Sequence, residues 1–341
     1  METKIYKITS PDDIYIKEVG EILKNGGLAA IPTETVYGLA GNALDGEIAG
    51  KIFAAKGRPS DNPLIVHISR FEQWAPLVKY IPDTAKALAE AFWPGPLTMI
   101  LPKSDIVSQA VCGMLDTVAV RMPENEIALA IIESAGVPLA APSANLSGKP
   151  SPTCAAHVIE DMTGRIDAIV DSGDCSVGVE STVLSLVTDV PRVLRPGKIT
   201  ADMIAAVVGE AEIDDAVFEK LKDGQSVMSP GTKYKHYSPE ATVVLIKGDF
   251  ESYAEYVRAN AEEGTVALCF EGEEEKLSVP CVTYGKKNDP ASQAKNVFDA
   301  LRAVDKIGAK KVFARFPESE GMGLAVFNRL LRAAAFNIIE V

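Results

Sequence analysis

Apolar residues at Ile14, Ile16, Val19, Ile22 and Leu23 recur close to the helical period, which predicts a helix over residues 12–25 ended by Gly26 and Gly27. LAAIP follows as a buried strand, and the pattern then changes character. In residues 30–41, AIPTETVYGLAG, the strand gives way to Thr33, Glu34, Thr35 and Tyr37 before Gly38 and Gly41. Two readings stay open. A strand that stops at the mouth of a pocket places polar groups where a rigid element becomes a loop. An ordinary strand, turn and helix start, capped by Thr35 or Asn42, accounts for the same residues.

Further on, residues 45–55 read as a helix running into KGRPSDNP, where Pro59 and Pro63 forbid continuation. LIVHIS, LTMILP and TVAVRMP read as strands, with residues 71–92 helical in two pieces broken at Pro82. ENEIALAIIESAG and residues 153–163 read as helices, AIVDSG and STVLSLV as strands. The link from STVLSLV to PRVLRPG is too short for a crossover helix, so that pair is expected to be antiparallel. Residues 201–228 read as acidic and helical at first, then dissolve into polar sequence. After SPGTKYKHYSP, which has no apolar stripe, strands and helices alternate again from Ala241 to the end. The expectation is an α/β protein in three parts: a catalytic domain over 1–205, a linker and strap over 206–239, and a smaller α/β domain over 240–341 of Rossmann- or flavodoxin-like order.

Composition narrows the class. A formal charge of -13 argues against a general nucleic-acid binder, while leaving room for a local basic pocket. Five scattered cysteines without a CxxC disfavour a disulfide framework and a thiolate zinc site, and fit a reduced, cytoplasmic setting. The N-terminal residues lack a signal-peptide core, and no run of 18 apolar residues suggests a membrane span.

The candidate chemistry gathers at strand ends. Thr35, Arg58, Arg121, Ser143, Ser181 and Arg195 all fall at or near them, where open sheets bind ligands. Lys56 and Arg58 flank Gly57, so both can lean on one polyanion, or simply favour the C-terminal dipole of a helix. His67, among apolar neighbours, reads more readily as a satisfied core or edge residue than as a functional one. Ser143, Asn145, Ser147 and Gly148 form a loop of small hydrogen-bonding groups or an Asx/ST turn. Several arginines with few candidate bases suit anions, nucleotide included, better than hydrolysis. No Walker A, GxSxG or HExxH motif is present. The segment 229–239, stiffened by Pro230 and Pro239, reads as a strap over a bound anion.

The ordered set PTETVYGL, KGRP, AVRMP, PSANLSG, ESTV, LRPG and SPGTKYKHY resembles the L-threonylcarbamoyladenylate synthase family, the YrdC-like enzymes of tRNA N6-threonylcarbamoyladenosine synthesis, in its two-domain form. The resemblance spans essentially the whole chain; Gly57 stands where a serine is frequent. It implies a mixed twisted YrdC-like sheet with helices around a concave pocket. The implied reaction is that of a nucleotidyltransferase, in which L-threonine, bicarbonate or CO2, and ATP with Mg2+ give L-threonylcarbamoyl-AMP, diphosphate and water. By motif, Thr35, His67, Arg121, Ser181 and the Ala141 backbone surround threonine. Arg58, Asn62, Thr117, Ser143, Ser151 and Arg195 hold ATP, with Lys56 and Arg58 neutralising phosphate and carbamate oxygens. Ser229, Lys235, His236 and Tyr237 of the strap approach the nucleotide, and no side chain is assigned to the metal. The product is implied to pass to a tRNA threonylcarbamoyl transferase complex, with little or no direct tRNA contact. An RNA-binding or ribosome-associated role and a carbamoyl-transfer enzyme are the alternatives.

Overall fold

The structure, a computed structural model, describes residues 1–57, 62–219 and 237–341. Arg58, Ser229, Lys235 and His236, with the rest of residues 220–236 of the strap, therefore lie outside the described residues, and Tyr237 lies within them.

Strands β1 (Lys4–Lys7), β2 (Ala29–Ile31), β3 (Gly38–Asn42), β4 (Ile65–His67), β5 (Leu97–Pro102), β6 (Thr117–Arg121), β7 (Leu139–Ala140), β8 (Ala168–Asp171), β9 (Thr182–Ser185), β10 (Arg192–Arg195) and β11 (Glu212–Ile213) form one mixed sheet. Their order is β1-β8-β2-β3-β7-β4-β6-β5-β9-β10-β11. β9 and β10 pair antiparallel, as their short link requires. Of the two readings left open for residues 30–41, the helix start does not form: β3 runs back antiparallel to β2 as a hairpin. Gly38 and Gly41 serve close packing there: a Cβ on Gly41 falls 2.4 Å from Ile48 Cδ1.

Successive side chains of each strand point to opposite faces. One face carries Ala30, Leu39, Val66, Val118, Val120, Met99 and Leu184 into the main core. Helices α1 (Tyr15–Lys24), α2 (Ile48–Lys56), α3 (Asp83–Phe92), α4 (Glu126–Ala135), α5 (Ala155–Met162) and α6 (Ala201–Val208) complete the layers. α2, α3, α5 and α6 supply that main core. α1 and α4 cover the other face, but only over β1, β8, β2, β3 and β7, through Ala29, Ile31, Ala40 and Leu139. Beyond β7 that second face holds, among the described residues, a small apolar cluster of Ile65, Ile100, Ala119, Val183 and Leu194. The pocket lies over this half.

The acidic helix expected from 201 ends at Val208, where Gly209 takes φ +92°, and the chain adds β11 parallel to β10. The C-terminal domain is a parallel sheet of β12 (Thr242–Lys247), β13 (Thr265–Cys269), β14 (Cys281–Thr283), β15 (Lys311–Arg315) and β16 (Ile338–Glu340), in the order β14-β13-β15-β12-β16. α7 (Phe250–Asn260) packs on one face, and α8 (Pro290–Lys306) with α9 (Gly323–Ala333) on the other. Val36, Val177 and Val179 of the first domain join the α8–α9 core. α8 comes so near that a Cβ on Gly178 would lie 2.4 Å from Lys295 Cα.

Candidate active site

The ends of β4, β6 and β10 and the loops around residues 33–36, 141–148 and 180–181 build most of the pocket, about 720 Å³ of space continuous with solvent. Thr35, Lys56, His67, Arg121, Ala141, Ser143, Ser181, Arg195 and Tyr237 all line it, together with Asn145, Ser147 and Gly148.

Arg121 ends β6, paired in register with His67 of β4. Alternation puts Thr117, Ala119 and Arg121 in one row on the uncovered face. The guanidinium is 3% exposed. Its Nη1 donates to Thr35 Oγ1 at 3.0 Å and Nε to the Gly95 carbonyl at 3.2 Å. Nη2 lies 2.6 Å from Glu34 Oε1, an ion pair whose angles fall outside those of a hydrogen bond. Glu34, ambiguous in the sequence, is thus the counter-charge of Arg121. Thr33 Oγ1 donates to the Val36 carbonyl at 2.6 Å and sits 2.8 Å from Thr35 Oγ1, which fixes the threonine hydroxyl facing Arg121.

His67 stands at the end of β4 with Nδ1 3.1 Å from the Ile65 carbonyl. A carbonyl only accepts, so Nδ1 carries the proton and the ring leaves Nε2 as an acceptor. Burial, and behind it the charge of Arg121, pushes this imidazole down to about 3, so the ring is neutral at ordinary pH.

Lys56, the last residue of α2, precedes a left-handed Gly57 cap at φ +64° and is 2% exposed. Its ammonium donates to the Ser143 carbonyl at 2.5 Å and the Asn145 carbonyl at 2.8 Å, with Asn145 Oδ1 at 3.4 Å. Ser143 Oγ donates to Asn145 Oδ1 at 2.5 Å. The small polar loop is therefore a folded turn braced by a buried cation, and it still lines the pocket. Ser238 N–H donates to the Gly148 carbonyl at 2.9 Å, which anchors the described end of the strap to the same loop.

Arg195 ends β10. Nε donates to the Ser181 carbonyl at 3.1 Å and Nη2 to Ser181 Oγ at 3.2 Å. Ser181 Oγ also lies 2.8 Å from Thr98 Oγ1. β6 and β10 are three strand spacings apart, ~14 Å between backbones, yet the two arginines lean into one cavity. Burial pushes the Arg195 guanidinium below its ordinary value, the nearby Arg329 and Arg121 add to this, and Tyr237 and Glu180 oppose it.

Ser151 and Asn62 are buried but do not line the pocket, and neither does Thr117, four residues along the strand from Arg121. Ser151 stands behind the wall, where its hydroxyl donates to Glu180 Oε1 at 2.5 Å. Sequence reading missed Thr98, Glu180 as a pocket residue, and Arg329; Glu180 sits in the ESTV motif, but nothing local marks Arg329.

Comparison with known proteins bears on what such a pocket does. Residues 21–197 match the Sua5/YciO/YrdC family, described as "Telomere recombination". Residues 199–335 match the family described as "Threonylcarbamoyl-AMP synthase, C-terminal domain". The chain is 46% identical to the threonylcarbamoyl-AMP synthase of Pyrococcus abyssi over 96% of each chain. It is 44% identical to that of Bacillus subtilis over 97% of this chain and 96% of the relative. A crystal structure of P. abyssi Sua5 complexed with L-threonine superposes with a TM-score of 0.93 at 44% identity, covering 99% of this chain and 100% of that one.

Proposed function

The chain belongs to the threonylcarbamoyl-AMP synthases of the Sua5/YciO/YrdC family, and from that premise we propose how its pocket joins L-threonine, bicarbonate or CO2, and ATP into L-threonylcarbamoyl-AMP for tRNA modification. One observation carries the reading: Lys56, Arg121 and Arg195 converge on one cavity where the single lining carboxylate among the described residues, Glu180, is paired with Arg329, while Glu34, outside the lining, answers Arg121. Positive charge is left over for anions.

Threonine takes the Arg121 end. Its carboxylate meets the guanidinium beside the Thr35 hydroxyl, and the neutral His67 accepts a hydrogen bond at Nε2 from its hydroxyl or amine. The deprotonated amine attacks CO2, or bicarbonate with loss of water, and gives N-carboxythreonine. That carboxylate attacks the α-phosphorus of ATP, and diphosphate leaves. Repulsion among these anions is the main obstacle, and cations fixed before the reaction lower it. Arg195 and Ser143 take the nucleotide side, with Lys56 holding the loop that carries Ser143, while Ser181 and the Ala141 backbone stay with threonine, as the motif has them. The sequence motif adds Arg58, Asn62, Thr117, Ser151 and the strap residues Ser229, Lys235, His236 and Tyr237 to that side.

Mg2+ accompanies ATP. The described residues offer no cluster of His, Cys, Asp and Glu that fits a protein-held ion. The ion belongs with the nucleotide's own phosphates.

The product, a mixed anhydride, passes to a tRNA threonylcarbamoyl transferase complex. The test is ATP turnover with and without threonine and bicarbonate, with the product's mass determined. Turnover that ignores threonine overturns the reading.

A further inference from the structure

Among the described residues, Arg329 of α9 is the largest side chain with essentially no exposure, and it belongs to the C-terminal domain. Its contacts cross into the first domain. Nε donates to Glu180 Oε2 at 2.9 Å and Nη1 to the Pro196 carbonyl at 2.8 Å, while the guanidinium carbon lies 5.8 Å from the centre of the Tyr237 ring. Glu180 directly precedes Ser181, and Pro196 directly follows Arg195. Arg329 therefore grips the flanking residues of both pocket groups and does not itself line the pocket.

The charge arrangement gives this grip a purpose. Glu180 is buried with its carboxylate bonded to Arg329 and Ser151, and the charge of Arg195 acts on it as well. Burial pushes its carboxyl up, but the two arginines and the Ser151 hydroxyl outweigh that and hold it below its ordinary value. A buried carboxylate must find a cation. While Arg329 supplies it, Arg195 bonds only to Ser181 among its described hydrogen-bond partners and keeps its charge for the cavity. Stability alone is a poor reason for such a pair, since apolar residues of similar volume commonly serve as well.

We propose that Arg329 is a positioning residue: by engaging Glu180 and the Pro196 carbonyl, the C-terminal domain keeps Arg195 free and aimed at the anionic part of the nucleotide. This rests on the reading that ATP occupies the Arg195 wall. In Arg329→Met, Glu180 captures Arg195, and its guanidinium swings off the cavity. Threonine, held around Arg121 on β6, is unaffected.

The experiment measures ATP and L-threonine binding separately by titration calorimetry on the full chain, with KM and kcat beside them. Arg329→Met is expected to raise the ATP Kd and KM at least tenfold while the threonine Kd stays within twofold. Adding Glu180→Gln removes the carboxylate that captures Arg195 and brings the ATP Kd back to within threefold of wild type. A purely structural role predicts instead a smaller active fraction, seen as lower kcat at unchanged KM, and no rescue by the second change. Either result overturns the proposal. Should Arg329→Met fail to fold, Arg329→Lys decides. Lysine lacks the planar fork that spans Glu180 and Pro196, so the ATP Kd should rise at least threefold; an unchanged value refutes the role. Wild-type chain that binds ATP without threonine-dependent turnover counts against the proposed reaction and leaves this binding comparison intact. Wild-type chain that binds no ATP overturns both.

Discussion

Replacing Arg121 by methionine separates what this residue does for the fold from what it does for the reaction. The substitution keeps an unbranched apolar stem and deletes the hydrogen bonds to Thr35 Oγ1 and Gly95 and the contact at 2.6 Å with Glu34. Glu34 is 5% exposed, and its Oε2 has no hydrogen-bond partner among the described residues. Removing one partner of a buried pair costs about 3–5 kcal/mol, because the other charge stays behind uncompensated. Arg121→Met should therefore lose about that much in urea unfolding. Glu34→Gln/Arg121→Met, with no charge left to strand, should regain at least half of it. Turnover should behave differently. One charge-assisted bond to threonine contributes about 1.5–3 kcal/mol, and at ~1.4 kcal/mol per tenfold that is a loss of about 10- to 140-fold in threonine-dependent pyrophosphate release. The loss should be the same in the single and the double variant. If the double variant recovers stability and near-wild-type turnover together, Arg121 is only the counter-charge of Glu34 and touches no substrate.

Three further outcomes follow from the geometry. Lys56→Met strands the Ser143 and Asn145 carbonyls, so it should cost about 2 kcal/mol or more in urea unfolding and weaken ATP more than threonine in calorimetry; an unchanged unfolding midpoint contradicts the brace. His67 is held near 3 when folded, against about 6.5 in the unfolded chain, so between those values the unfolded state binds the extra proton and stability falls as pH drops. Wild type should lose about 1.4 kcal/mol per pH unit more than His67→Gln across that window, and parallel slopes in urea midpoints at pH 7, 5.5 and 4.5 count against a buried neutral ring. Gly178→Ala sets a Cβ against the Lys295 backbone at a φ of +86° and should destabilise by about 1–3 kcal/mol, with faster proteolytic separation of the C-terminal domain; wild-type resistance contradicts the close docking.

Much of the frame was legible locally. TVAVR alternates, and in the structure Val118 and Val120 enter the main core while Ala119 and Arg121 turn to the other face. The antiparallel β9–β10 pair followed from link length alone. Where the reading failed, local signals pointed the wrong way. Gly38 and Gly41 look like turn residues, but in β3 they let Ala141 and Ile48 approach. β16 is three residues at the chain's end, and only its pairing with β12 makes it a strand. The site was visible as a recurrence of Thr35, Arg121, Ser143, Ser181 and Arg195 at strand ends, but not as a cavity.

By itself, then, the sequence determined the α/β alternation, the alternating pattern of a strand such as TVAVR and the ordered motifs that mark the family. These depend on periodicity and on neighbours a few residues away. Only the tertiary structure decided that α1 and α4 stop at β7 and leave half a face for the pocket. Only it decided that Glu34 answers Arg121, and that Glu180 answers an arginine 149 residues further on. A buried charge imposes the need for a partner, but that need has no period and no fixed spacing. It is met wherever the fold brings another charge within reach.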